Sequence, residues 1–291
     1  MNRGAFVASL AALLAARRGV AAESLNAHVR AIARVLPGRI GVYARTMAPG
    51  PPLVSYSASQ HFPTASTIKV LIMATSYARA EADPGSLDER ITFDRSELIG
   101  GSDFMAEVDD GHVFTVRELI PPMIQVSDNT AANLLIGHLG VAAINSMGRR
   151  VGMERTHLAR RFLDYSAIAH HNDNVSTPAD MARLLYVIER GAREQTRTIV
   201  SARYCRAMVS IMLGQTDRDG IPAALPRGTA VANKTGEIEG TRDDVAIVEP
   251  FGDSPFVLAI MTRDAYDYPA AYAAIHAVTR VTYAAAARTF E

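Results

Sequence analysis

The chain's only two lysines each stand in a short segment that also carries a hydroxyl residue. They are Lys69 in Ser66-Thr67-Ile68-Lys69 and Lys234 in Lys234-Thr235-Gly236, whereas the other 28 of 30 basic residues are arginine. Arginine keeps its proton at any useful pH, but a lysine amine can release one when it is buried or faces another cation. Two positions that need an amine rather than a generic positive charge point to an enzyme. On a helix, Ser66 and Lys69 share a face, one turn apart, so a neutral amine there can take the serine proton. Bringing a lysine from about 10.4 to near neutrality takes about three pKa units, roughly 4 kcal/mol. Burial and a second cation are the usual means. Ser66 at a helix start also offers its backbone N–H to an oxyanion. Alone, Ser-x-x-Lys equally describes a surface helix with a solvated lysine.

Ser127-Asp128-Asn129 lies between two expected helices and has two readings. Ser, Asp and Asn are favoured helix caps. They can also supply a hydroxyl that relays a proton to a leaving nitrogen and an amide that holds a substrate carbonyl. At Lys234-Thr235-Gly236, which is expected to follow a strand, the glycine lets a substrate approach the backbone, and the next N–H can serve as a second oxyanion donor. The single Cys205 reads as a buried structural thiol. His170-His171-Asn172-Asp173 reads as a polar loop, and no metal site is expected.

These segments need elements to hold them. Helical spacing runs from Ser24 to Leu36; Arg39 to Met47 reads as a strand, Pro49 to Pro52 as a turn, and Leu53 to Ser57 as the returning arm. A helix is expected from near Ser66 to about Ala82, and residues 83–114 read as irregular. Helices follow at Val116–Gln125, Thr130–Leu139 and Val141–Val151, then a long loop over 155–176. Further helices are expected from Thr177-Pro178 to about Arg190 and over Ser201–Leu213. Strands return at Thr229–Lys234, Asp244–Glu249 and Pro255–Thr262, before an Ala-rich helix from about Tyr268 to Arg288. Strands at both ends and helices between them imply an α+β fold: one antiparallel sheet built from both termini with a helical lobe inserted. A cleft between the lobes is where ligand sites form.

Acidic and basic residues balance at 30 each, which argues against a nucleic-acid partner. Residues 1–22 read as an export signal: Arg3, the apolar run Ala5 to Ala16, then Val20-Ala21-Ala22 before Glu23, with an apolar helix that stays attached as the other reading. The run is too short to span a bilayer. A periplasmic or secreted location follows from the first reading.

In this order and at these separations, the three motifs resemble the serine penicillin-recognising enzymes, best matched by class A β-lactamases and their penicillin-binding relatives, over about residues 24–290. The resemblance implies a β-lactamase/transpeptidase-like fold, with a sheet lobe of about 23–62 and 215–291, a helical lobe of about 63–214, and residues 23–291 as one catalytic domain. It implies Ser66 as the acylated nucleophile, Lys69 as its activator and Ser127 as the proton shuttle. Asn129 would bind the substrate amide, and Lys234 and Thr235 its carboxylate, with Arg242 assisting. The N–H groups of Ser66 and Glu237, next to Gly236, would form the oxyanion hole. No cofactor is implied, and a monomer is expected.

One position departs from the family. The loop glutamate that activates the deacylating water in class A enzymes falls on Leu163, and no glutamate lies between Glu154 and Glu189. Asp164 is adjacent but shorter, and reads more readily as an ion-pair partner of Arg160 or Arg161. The expectation is a serine acyl-enzyme hydrolase of β-lactam amide bonds with slow deacylation. A penicillin-binding D,D-peptidase or a peptide or ester hydrolase is the alternative, and a non-hydrolysing β-lactam or muropeptide sensor is the rival from another class.

Overall fold

The computed structural model describes residues 23–288. The expected export signal lies outside them. Residues 23–35 form helix α1, followed by β1 (Arg39–Thr46), β2 (Val54–Tyr56) and β3 (Phe62–Pro63). A 3₁₀ turn over Ala65–Ile68 leads into α2 (Lys69–Ala82), then β4 (Arg90–Thr92), α3 (Asp103–Ala106) and β5 (Val113–Thr115). The helices α4 (Val116–Gln125), α5 (Asn129–Leu139), α6 (Val141–Val151) and α7 (Tyr165–Ala169) follow. Next come β6 (Val175–Ser176), α8 (Pro178–Arg193) and α9 (Ala202–Leu213). The strands β7 (Val231–Ile238), β8 (Thr241–Val248) and β9 (Phe256–Arg263) precede α10 (Tyr268–Ala287).

Both ends of the chain build one five-stranded antiparallel sheet in the order β2-β1-β9-β8-β7, as the α+β reading requires. Alternation along each strand feeds two cores. Val42, Ala246, Leu258 and Ile260 face α1 and α10, while Val245, Ile247, Val257 and Met261 face the helical lobe. Because both faces are covered, these strands read as nearly unbroken apolar runs. Helix starts follow local chemistry. Thr115 and Glu118 form a reciprocal capping box for α4, and Thr177 caps α8 ahead of Pro178.

Three expectations are corrected. Residues 83–114 are not wholly irregular, since Ile91 pairs with Phe114 in a β4–β5 ribbon; each strand is three residues long, too short to show a period. The 155–176 loop contains α7, and β6 pairs Ser176 with Phe62. Lys234-Thr235-Gly236 lies inside β7 rather than after it, because β7 continues to Ile238 against β8. Cys205 is fully buried, as read.

Candidate active site

The Ser66 turn is clamped from two sides. The Thr64 N–H donates to the Asn174 carbonyl at 3.0 Å, tying the turn to β6. On the other side Gly236 of β7 abuts it: a Cβ there would lie 2.9 Å from the Thr64 carbonyl and 3.2 Å from Ala65 Cβ. A side chain at 236 would therefore push directly on the backbone beside Ser66. Ala65 is held at φ 41°, a left-handed conformation that costs a non-glycine residue energy and persists only where packing enforces it. Ser66 is half-buried at the start of this turn, where N–H groups have no intrahelical partner. Among the described residues its hydroxyl makes no hydrogen bond.

Lys69, at the first position of α2, is fully buried. Its Nζ donates to the Ser127 carbonyl at 2.7 Å and to Asn129 Oδ1 at 2.7 Å, and lies 3.3 Å from Ser127 Oγ. The Phe162 ring centroid is 4.4 Å from the same nitrogen. Burial pushes the amine well below its ordinary pKa; Lys234 adds to this and Asp128 opposes it. Lys234 is also fully buried, with Nζ donating to Ser127 Oγ at 3.0 Å and to the Thr235 carbonyl at 2.8 Å. Burial lowers it to about 8, against the pull of Asp217, Asp244 and Glu237. Ser127 Oγ thus sits between two lysine amines.

The Ser127-Asp128-Asn129 segment divides the two readings its sequence allows. Asp128 is the cap, its Oδ1 accepting from the Ala131 N–H at 2.8 Å and its Oδ2 from the Met105 N–H at 3.0 Å. Ser127, at φ 58°, and Asn129 reach the amines instead. Asn129 Nδ2 donates to the Gly100 carbonyl at 2.9 Å. Gly101 passes so near that a Cβ on it would fall 2.7 Å from Asn129 Nδ2. The Gly100-Gly101 pair, legible in sequence only as a break, is thus a close approach to the site.

Leu163 lies in the same region at φ 56°, its Cδ1 about 3.4 Å from where a Cβ on Gly100 would be. The preceding residue is pinned through its backbone: the Phe162 N–H donates to Asn133 Oδ1 at 2.8 Å, and Asn133 Nδ2 donates back to the Phe162 carbonyl at 3.1 Å. Asp164 is not the ion-pair partner its neighbours suggested. It caps α7, accepting from the Ala167 N–H at 3.0 Å, while Arg160 pairs with Asp173 at 3.0 Å. A cap is the ordinary use of aspartate one residue before a helix.

Arg242 lies across the β7–β8 hairpin from Glu237. Its Nη1 donates to the Ile238 and Thr241 carbonyls at 3.0 and 2.7 Å, and Nε lies 3.7 Å from Glu237 Oε1. The guanidinium carbon is 3.6 Å from the centre of the Tyr268 ring. The Tyr272 hydroxyl donates to the same Glu237 carboxylate. Sequence reasoning passed over Phe162, Asn133, Asp217 and Tyr272, which lie outside the three motifs and carry no local signature.

The geometry can be set beside known proteins. Residues 24–286 match the Beta-lactamase2 family, described as the β-lactamase enzyme family. The chain belongs to the β-lactamase enzyme family. It is a serine hydrolase of the class A type. The carbapenem-hydrolysing β-lactamase KPC of Klebsiella oxytoca is 34% identical over 232 residues, 78% of this chain and 76% of that protein. PBP-A has 26% identity and a TM-score of 0.81 over 91% of this chain and 96% of its own; a leucine-to-glutamate mutant of PBP-A was solved as an acyl-enzyme complex with penicillin G. A variant of the last common ancestor of Gram-negative bacteria class A β-lactamase has 31% identity and a TM-score of 0.79 over 90% of this chain and 97% of its own. The β-lactamase/transpeptidase-like fold expected from the motifs is thereby shown.

Proposed function

We propose that this β-lactamase family member opens β-lactam amide bonds through an acyl-enzyme on Ser66 and releases the product slowly. The observation that carries the reading is the convergence of Lys69 and Lys234 on Ser127 Oγ, at 3.3 and 3.0 Å. A neutral Lys69 has two N–H donors, which the Ser127 carbonyl and Asn129 Oδ1 absorb, and one lone pair left for a proton. Burial supplies the pressure toward that neutral form.

In this reading Lys69 takes the Ser66 hydroxyl proton as Ser66 Oγ bonds to the lactam carbonyl carbon. The N–H groups of Ser66 and Glu237 hold the resulting oxyanion. The C–N bond breaks as the nitrogen takes a proton from Ser127, which recovers one from the now protonated Lys69, 3.3 Å from its Oγ. Asn129 receives the substrate side-chain amide. Lys234, with Thr235, provides the cationic corner for a carboxylate, Arg242 assists from across the β7–β8 hairpin, and Gly236 leaves room at the β7 backbone.

Deacylation needs a water and a base. Leu163 offers no proton acceptor, and Asp164 Oδ1 is occupied as a cap. Loss of a positioned general base typically costs 10²–10⁴-fold. This favours a penicillin-binding D,D-peptidase or a related peptide or ester hydrolase as the second reading, supported by the similarity to PBP-A. We further propose a periplasmic or secreted location, on the strength of the sequence of residues 1–22.

Mixing the protein with a fluorescent penicillin and following its mass over time tests the reading. An adduct that forms and decays over minutes to hours is expected. A permanent adduct indicates a sensor or a penicillin-binding peptidase, and no adduct with penicillin or a D-alanyl ester refutes acyl transfer.

A further inference from the structure

Two loops meet at Lys69 Nζ and bring it opposite kinds of group. The loop before α5 supplies its hydrogen-bond partners, the Ser127 carbonyl and Asn129 Oδ1, each at 2.7 Å. The loop before α7 supplies a ring, Phe162, whose centroid stands 4.4 Å from the same nitrogen. Phe162 is 9% exposed, so its ring is packed into the site beside the amine.

The ring is held there through its backbone. Asn133 of α5 accepts from the Phe162 N–H at 2.8 Å and donates to its carbonyl at 3.1 Å, bonds that any residue but proline can keep at this position. The charges of the same loop are turned elsewhere. Arg160 pairs with Asp173, Asp164 caps α7, and Arg161 reaches Gly137 of α5, where a Cβ would lie 2.8 Å from its Nη2. The charged groups that act on Lys69 are Lys234 of β7, which disfavours its proton, and Asp128, which favours it; burial is the largest influence.

A ring beside an amine acts in two opposed ways. Its electron-rich face attracts the charged form, an effect worth about one pKa unit. Its bulk keeps water from that side of the nitrogen, and loss of water moves a buried lysine by up to about three to five units. Exclusion of water is the larger effect and decides the sign.

We propose that Phe162 is a positioning residue whose ring closes one side of the Lys69 amine to water and so keeps that amine free to accept the Ser66 proton. The inference deepens the acyl-transfer reading above and rests on it. Phe162 acts through Lys69, not on the bond that forms.

The chain's two lysines make a direct test possible, since isotope labelling at lysine Cε gives an NMR spectrum of two side-chain signals. The signal lost in Lys234→Arg belongs to Lys234, and the other to Lys69. In Phe162→Ala the Lys69 midpoint should rise by about one to two units, because water enters the space the ring leaves. Phe162→Leu keeps an apolar cover without an aromatic face and should not raise it. The Lys234 midpoint should stay near about 8 in both variants. The acid limb of penicillin acylation should follow Lys69, so that below both midpoints Phe162→Ala acylates about ten- to a hundredfold more slowly. Should Phe162→Ala fail to fold by circular dichroism, Phe162→Val carries the same test with a smaller rise.

An unmoved or lowered Lys69 midpoint in the truncated variant would overturn the proposal. So would an equal rise at both lysines, which would mean a general loosening of the site, or a rise in Phe162→Leu as large as in Phe162→Ala. If Lys69 titrates as expected but the native protein forms no penicillin adduct, the acyl-transfer reading fails instead, and this inference with it.

Discussion

Lys69 Nζ and Ser127 meet twice, at the serine carbonyl at 2.7 Å and at its hydroxyl at 3.3 Å, although 58 residues separate them in the chain. The left-handed backbone of Ser127 makes this double contact possible, since it turns carbonyl and side chain toward the same nitrogen. The helix that delivers the amine and the loop that delivers the hydroxyl are thus joined through the group that must accept a proton.

Acylation should follow a bell-shaped pH profile. The rate rises with pH as Lys69, held below its ordinary range by burial, loses its proton and becomes a base. For anionic donors it falls again above about 8, where Lys234 gives up its charge. Lys69→Arg should abolish the acid limb and lower acylation about 10²–10⁴-fold, because a guanidinium cannot act as base. Stopped-flow acylation between pH 5 and 10 measures both limbs.

Leu163→Glu should shorten the life of the penicillin adduct at least tenfold, since it restores an acceptor in the region of Asn129 and Gly100. Asp164→Ala should leave adduct lifetime unchanged while costing about 1 kcal/mol of stability, the usual worth of a helix cap. Adduct decay by mass and urea unfolding separate the two. An unchanged lifetime in Leu163→Glu would mean that the loop does not face the acyl group.

Gly236→Ala should slow acylation more than tenfold. Its Cβ meets the Thr64 carbonyl at 2.9 Å and Thr67 Cγ2 at 3.1 Å, so the Ser66 turn or β7 must shift by a few tenths of an ångström. Reacting groups are sensitive to displacements of that size. Far-UV circular dichroism should be unaltered.

Asp244→Asn should stabilise the protein at neutral pH. Burial raises this carboxyl from 3.8 to about 6, so the folded chain holds its proton longer than the unfolded chain does. Stability is therefore full below about pH 4 and falls as pH rises through about 6. A two-unit shift corresponds to about 3 kcal/mol at most. The amide still accepts from the Ile221 N–H, bonded to Asp244 at 2.7 Å. The variant should gain 1–3 kcal/mol at pH 7.5, and nothing at pH 3.5, by denaturant unfolding.

The sheet and the long helices were legible because their residues repeat with the period of the element that contains them. The helical stripe of α8 is of this kind, whereas β9 was legible as an unbroken apolar run of strand length. The β4–β5 ribbon and β6 were not, since two or three residues cannot display a period. The end of β7 was misplaced because Gly236 reads as a breaker, when its small size serves contact with Thr64 and Ala65. Of the site, the lysines and Ser127 could be found from composition and spacing. The ring of Phe162 over Lys69 and the Tyr272 hydroxyl on Glu237 could not, because each contact joins segments distant in sequence.

The pairing of β1 with β9, from Arg39 opposite Arg263 to Thr46 opposite Phe256, also sets when this molecule can fold. A ribosome releases β1 more than two hundred residues before its neighbour exists, and until then one edge of β1 has no lasting partner. Closure of so distant a loop makes folding slow and late. The nascent chain must therefore keep that edge of β1 unpaired until β9 has been made.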